Sequence, residues 1–338
     1  MLAVVQESFA EPAQAVAVRD RASGELQAGQ VLVEMLASPV NPSDLMTLRG
    51  SYGRRPDLPA VPGYEGVGIV RKAAAGLYGR WLVGQRVAVI CPTGGAWAEQ
   101  LNASSRQVIP LPRTLSVEQG AMFFVNPATA WLMTRSVLAI PRGAWLLQTA
   151  AASAVGRMII RLGRETGFRT LNVVRREDQA EQLRRDDLPE DSRVIVFDSA
   201  IDARDTLRDE VFRHTTDGVA FAIDPVGGAT ASAVVPCLGR GGRLLLYGAL
   251  SPEPMQISPR DLMTPGASIE GFWLSNAMAR IGFPSRLRLI RTLGRLIQSG
   301  VLGAEVGDSF PLQRIHDALR AAEEPGRRGK VLLRLSGS

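Results

Sequence analysis

Three places in this 338-residue chain combine residue types and spacing that could do chemistry. The first is the run LLQTAAASAVGR over 146–157. An apolar stretch of strand length over 144–149 meets a turn of small residues, and a helical pattern over 155–165 stops at Gly167. A helix that opens at the end of a strand presents unpaired N–H groups and the positive end of its dipole, which suits an anion. A dinucleotide fingerprint places glycines at three points of such a turn, here Ala151, Ser153 and Gly156. Gly156 alone is glycine, and it lets helix and sheet pack closely; Val155 and Arg157 flank it. The second place is the end of the next strand, 169–174, where Arg175 and Arg176 stand about 20 residues on. A carboxylate there would hold a ribose 2′-hydroxyl and repel a 2′-phosphate, whereas guanidinium groups bind phosphate through charge-assisted bonds. That implies NADP(H); two solvated arginines in an Arg-rich chain are the alternative. The third place is Tyr52, in Gly50-Ser51-Tyr52-Gly53. Its phenol can donate a hydrogen bond while neutral at pH 7, or simply pack at a turn.

These residues need elements to hold them. Strands are expected over 30–35, 66–71, 86–90 and 97–101, punctuated by Asn41-Pro42, the segment 59–63 and Gly94-Gly95. That pattern suggests a β-rich, partly barrel-like domain. Near Ser116 it changes: Ser116 and Gln119 have capping-box spacing. From 144 onward apolar strands alternate with helices, with strands over 144–149, 169–174, 193–197, 219–224 and 243–248 and a sixth candidate over 268–273. Continuous apolar strands of this kind form parallel sheets covered on both faces. Helices over 286–298 and 315–323 and a last strand over 330–335 follow. The reading is an α/β chain: a Rossmann doubly wound parallel sheet, 119–265, inserted into a β-rich catalytic domain formed by 1–118 and 266–338.

Composition narrows the function classes. Hydrophobic residues make up 46% and charged residues 21%, enough for a sizeable core and too apolar for a disordered chain. Net charge is +6, yet the arginines are scattered among acids with no basic stripe, so no nucleic-acid partner is expected. Two cysteines, Cys91 and Cys237, and two histidines, His214 and His316, leave little for a disulfide framework or a metal site. The first residues lack a signal-peptide pattern, and the most apolar window, 121–140, is interrupted by Asn126, Pro127 and Arg135. No membrane association and a cytoplasmic location are expected.

The segments NPSDLMTLRGSYG (41–53), PAVPGYEGVGIV (59–70), VNPATAW (125–131), AVG (154–156), DPVGG (224–228) and GFWLS (271–275) resemble the medium-chain dehydrogenase/reductase superfamily along nearly the whole chain. The resemblance is to its zinc-free branch of quinone reductases and 2-enoyl thioester reductases, with a GroES-like catalytic domain. Where zinc alcohol dehydrogenases of the superfamily carry Cys and His ligands, this chain has Asn41 and Tyr64. The four-cysteine structural-zinc lobe is missing, so no metal is expected. The resemblance implies Tyr52 as proton donor or oxyanion partner and Asn126 as a residue of the reacting pocket. It also implies Asn41, Tyr247, Gly248, Phe272, Trp273, Leu274 and Lys330 as cofactor contacts, Lys330 on a phosphate. Asn41 before Pro42 and Asn126 before Pro127 are equally readable as turn residues.

Hydride transfer without a Lewis acid needs a substrate that is already electrophilic, and a C=C conjugated to a carbonyl is one. The expected activity is therefore NADPH-dependent reduction of an enoyl thioester or enone. A quinone is the alternative substrate, and a non-catalytic NADPH-binding protein of the crystallin kind is the alternative class. A homodimer joined through edge strands of the cofactor domain is expected, as the superfamily resemblance implies.

Overall fold

The computed structural model describes residues 1–53 and 55–336 and divides into two compact units. One comprises Met1–Asn126 with Ile290–Ser338, the other Pro127–Leu289.

In the first unit a seven-stranded mixed sheet runs Val306–Pro311, Lys330–Arg334, Gln30–Pro39, Glu65–Ala73, Arg86–Ile90, Val108–Pro110, with Gln100–Ser104 also paired to Gln30–Pro39. The ten-residue strand Gln30–Pro39 accommodates this branch because its first half pairs with Gln100–Ser104 and its last three residues with Lys330–Arg334. Its inward positions Val31, Val33, Met35 and Ala37 are wholly buried, the period-2 pattern of a strand with one face on a core. The strand expected over 97–101 starts later, at Gln100. Trp97 is fully buried and its main chain is committed elsewhere: its N–H donates to Pro62 O and its carbonyl accepts from Val4 N–H.

The second unit holds six parallel strands in the order Arg193–Val196, Arg169–Val174, Trp145–Gln148, Val219–Asp224, Leu238–Leu246, Ser268–Gly271. By chain order this is 3-2-1-4-5-6, the doubly wound arrangement. Leu146, Leu147, Leu171 and Ile223 are buried on these strands, as a sheet covered on both faces requires. Helix Ala154–Thr166 buries Met158, Ile159, Ile160 and Leu162, and Gly167 ends it in the left-handed conformation at φ +89°.

The units divide at 126/127 and 289/290, where the sequence suggested 118/119 and 265/266. Ser268–Gly271 is the sixth strand of the parallel sheet, so the second unit continues past 265. Residues 119–126 belong to the first unit because Glu118 pairs with Arg334 at 2.7 Å and the Glu65 carboxylate holds the amides of Phe124 and Val125. Among the described residues no helix is long and apolar enough to cross a membrane.

The capping box at the start of Val117–Ala121 forms as expected: Ser116 Oγ accepts from Gln119 N–H at 3.1 Å and Gln119 Oε1 from Ser116 N–H at 2.9 Å. Ser116→Ala should lower the unfolding free energy by about 1 kcal/mol in urea titrations. A change below about 0.3 kcal/mol would mean that the cap adds nothing to packing.

Candidate active site

The first unit carries a buried polar cluster. Asn41 stands at the start of helix Pro42–Leu48 in extended conformation, and its N–H donates to Asp44 Oδ2 at 2.7 Å. Its side chain is used at both ends: Nδ2 donates to Glu65 Oε1 at 3.1 Å, and Oδ1 accepts from the Lys330 ammonium. Glu65 Oε2 in turn accepts from Val125 N–H at 2.9 Å and Phe124 N–H at 3.3 Å. Asn41, Asp44, Glu65 and Lys330 are all at most 4% exposed. Charges that far from water persist only when paired or hydrogen-bonded.

Burial dominates the titration of these groups. It pushes Asp44 up from 3.8 to about 7, against the pull of the Asn41 amide and the Lys330 charge. It pushes Glu65 up as well, while Val125 N–H, the Asn41 amide and Lys330 draw it back. It pushes Lys330 down to about 8, helped by Arg327 and opposed by Glu65 and Asp44.

Beside this cluster lie two tyrosines. Thr47 donates its hydroxyl proton to Ser43 O at 2.8 Å, so its oxygen accepts from the Tyr64 phenol at 2.7 Å. Gly63 makes the approach to Tyr64 possible: it sits at φ +94°, and a Cβ there would lie 2.4 Å from the Trp97 ring. The Tyr52 ring meets the Tyr64 ring at 5.6 Å between centroids, tilted by 53°. Burial, then the neighbouring Tyr64 and Asp44, push the Tyr52 phenol up to about 12, so it keeps its proton at neutral pH. Asn126 is buried in the first turn of helix Val125–Trp131, directly after the residues that Glu65 holds.

The second unit carries the dinucleotide turn. Ala150 lies in the left-handed region at φ +49°, a strained setting for a residue with a Cβ. Ala151 N–H donates to Val173 O at 3.1 Å, and Ser153 Oγ accepts from Gly156 N–H at 3.1 Å. A Cβ on Gly156 would lie 2.4 Å from Ala151 O, so the third fingerprint glycine is required. Val155 is half-buried beside it. The Tyr247 phenol is hydrogen-bonded to Ser153, and a Cβ on Gly248 would lie 2.5 Å from Pro225 O. Asp224 is buried, accepting from Thr149 Oγ1, from Val226 N–H at 2.9 Å and from Gly227 N–H at 2.6 Å. Arg175 is exposed just past Arg169–Val174, and Phe272 is buried and Trp273 exposed just past Ser268–Gly271. Leu274 is half-buried at the start of the following helix. In a parallel sheet all these positions fall at the carboxyl edge, where ligands of open α/β sheets bind.

Four of the expected cofactor contacts have partners within the chain. Asn41 and Lys330 are bonded to each other, and Asn41 also to Asp44 and Glu65, inside the buried cluster. Arg157 is committed to Asp187 at 2.5 Å and to Ala152 O at 3.3 Å, and so braces the turn from within. Arg176 forks onto Asp178 at 3.0 and 3.1 Å, which leaves Arg175 as the better phosphate candidate of the two. Sequence reasoning passed over Asp44, Thr47, Thr149 and Asp224 as site residues. Their signal was an acid or hydroxyl embedded in an otherwise apolar or turn segment.

A doubly wound dinucleotide sheet set into a β-rich unit defines a two-unit dehydrogenase or reductase. Residues 27–113 match the family described as alcohol dehydrogenase GroES-like domain, and residues 197–333 that described as zinc-binding dehydrogenase. The mitochondrial enoyl-[acyl-carrier-protein] reductase of Homo sapiens is 29% identical over 98% of this chain and 88% of its own. Its counterpart in Caenorhabditis elegans is 32% identical over 80% and 77%. A Bacillus thuringiensis structure named for NADPH:quinone reductase is 28% identical, covers 99% of both chains and superposes with a TM-score of 0.89. Escherichia coli quinone oxidoreductase complexed with NADPH shares the fold at a TM-score of 0.87 and 22% identity. The chain belongs to the medium-chain dehydrogenase/reductase superfamily, in the family of the mitochondrial enoyl-[acyl-carrier-protein] reductases.

The residues do not fit the zinc that one family description carries. A zinc site needs about three ligands of Cys, His or carboxylate type. Here the Asn41 oxygen holds an ammonium and the Tyr64 phenol a hydroxyl. Among the described residues no group of three or more His, Cys, Asp or Glu is placed to hold a metal.

The folded chain binds the Asp44 proton more tightly than the unfolded chain does. Its contribution to stability is complete below about pH 4 and is lost as pH rises through about 7. In urea unfolding, Asp44→Asn should therefore gain on the parent by on the order of a few kcal/mol across that window. A difference that does not vary with pH would contradict the assignment.

Proposed function

We propose that the protein is an NADPH-dependent reductase of carbon–carbon double bonds conjugated to a carbonyl, with enoyl thioesters as its substrate class. The observation that carries this reading is a neutral, half-buried phenol, Tyr52, beside a place where the wider superfamily holds zinc and this chain holds its own ammonium. The family relationship to enoyl-[acyl-carrier-protein] reductases supports the same substrate class.

NADPH, when bound, supplies a hydride to the carbon β to the carbonyl. The chain's own residues account for the rest. The first turn of Ala154–Thr166, capped by Ser153 and closed by Gly156, suits a diphosphate. Arg175 suits the 2′-phosphate, since the position directly after the strand holds a guanidinium in place of a carboxylate. As charge gathers on the substrate carbonyl oxygen, the Tyr52 phenol and the Asn126 amide serve as donors to it. The α-carbon then takes one proton, through Tyr52 or water, so hydride and proton together saturate the bond. A quinone is the second reading, favoured by the fold's likeness to quinone reductases. Turnover of a crotonyl thioester against quinones, each with NADPH, separates the two. Binding of NADPH with no turnover of either would leave a non-catalytic protein.

The two thiols, Cys91 and Cys237, are buried and unpaired, which supports a reducing compartment such as the cytoplasm. Ser268–Gly271, the last strand of its sheet, supports a homodimer joined edge to edge.

Tyr52→Phe should lower kcat on the order of a hundredfold, with NADPH affinity changed less than about twofold. Unchanged kcat would remove Tyr52 from the reaction. Arg175→Asp should weaken NADPH roughly 10- to 100-fold while sparing NADH, as read by fluorescence titration. Equal losses for the two nucleotides would remove the 2′-phosphate assignment.

A further inference from the structure

The proposed reaction assigns work to Tyr52 and Asn126 but none to Glu65, although the Glu65 carboxylate accepts three hydrogen bonds in the buried cluster. One oxygen receives the Asn41 amide; the other receives the main-chain amides of Phe124 and Val125. Lys330, on the last strand of the chain, donates to the far end of the same Asn41 side chain. The connection is continuous: Lys330 to Asn41, Asn41 to Glu65, Glu65 to the first turn of Val125–Trp131. Asn126 is the next residue.

We propose that Glu65 is a positioning residue, its carboxylate holding the first turn of Val125–Trp131 and so fixing the Asn126 amide, while Asn41 and Lys330 hold the carboxylate. This rests on the reading that Asn126 faces the reacting carbonyl. Three features argue for it over simple core filling. A negative charge accepting two N–H groups at a helix start orients that start along its dipole. The acceptor is rigid, because its second oxygen is pinned by Asn41 and the whole side chain is 2% exposed. The segment it holds is not otherwise anchored by a conventional cap: Val125 opens the helix, and Phe124 before it has no side-chain oxygen. Lys330, tied from 289 residues away, keeps Asn41 from turning its oxygen toward the carboxylate. Glu65 touches no reacting atom in this scheme.

The test is a double-mutant cycle on the full chain with NADPH and a crotonyl thioester, joined to amide hydrogen exchange of the peptide covering 124–126. Glu65→Gln offers an NH2 group or a single uncharged oxygen to two amide donors. It should lower kcat roughly 10- to 100-fold, the scale of a misplaced group, with KM for NADPH within about twofold. Asn126→Ala should cost a similar factor. The double variant should be no slower than the slower single one, since both remove the same placed amide. Exchange of the Phe124 and Val125 amides should accelerate about tenfold or more in Glu65→Gln. Lys330→Met, which leaves the carboxylate and its amides in place, should give the same pattern more weakly and replaces Glu65→Gln if that variant does not fold. Multiplying losses, or unchanged kcat in Glu65→Gln or in Asn126→Ala, would overturn the proposal. If the parent reduces no conjugated substrate, the functional reading falls. Unchanged exchange at 124 and 125 then overturns the positioning role, and accelerated exchange upholds the anchoring on its own.

Discussion

A carboxylate without access to water is tolerable only when its charge is answered by fixed donors, and Glu65 imposes that condition on the first unit. Its answering groups come from three distant stretches: Asn41, the amides at 124 and 125, and Lys330 through Asn41. The requirement thereby fixes where the C-terminal strand returns to the sheet, how helix Pro42–Leu48 begins, and where Val125–Trp131 starts. Removing any one partner leaves another buried and unpaired, a more expensive outcome than never having built the cluster.

The same cluster explains the chemistry open to the protein. An amide oxygen that accepts from an ammonium sits beside a positive charge that repels a metal cation, and a phenol engaged with threonine is a poor ligand. Substrates that need a Lewis acid to polarise an isolated carbonyl are then ill served. A substrate whose own conjugation delocalises the incoming charge needs only donors, and a phenol held at about 12 is a donor across the physiological range. The second unit contributes a different physical principle, a helix start and an exposed guanidinium whose charge suits phosphates.

Much of this was legible in the sequence. The six parallel strands and their order followed from continuous apolar runs alternating with helices, and 169–174 and 219–224 match the observed strands end to end. Gly156 was readable because only one glycine role in the turn, close packing, survives its substitution pattern. The unit boundary near 289 was not, since the division at 265/266 left the candidate strand over 268–273 outside the unit whose sheet it completes. Nor was the buried cluster. Lys330 reads as a solvated charge or a phosphate ligand until the fold brings Asn41 to it. Asp44 reads as a helix-start acid until burial shifts it. Long-range polar pairing leaves no local spacing to detect.

The central claim is that hydride reaches a carbon made electron-poor by a conjugated carbonyl, without a metal. It is tested most directly by locating the label after turnover of a crotonyl thioester with NADPH deuterated at nicotinamide C4, in the presence of a strong chelator. The account predicts a saturated thioester with deuterium on the β-carbon and an undiminished rate. Deuterium on the carbonyl carbon, or activity that vanishes with chelation and returns with added zinc, would contradict it.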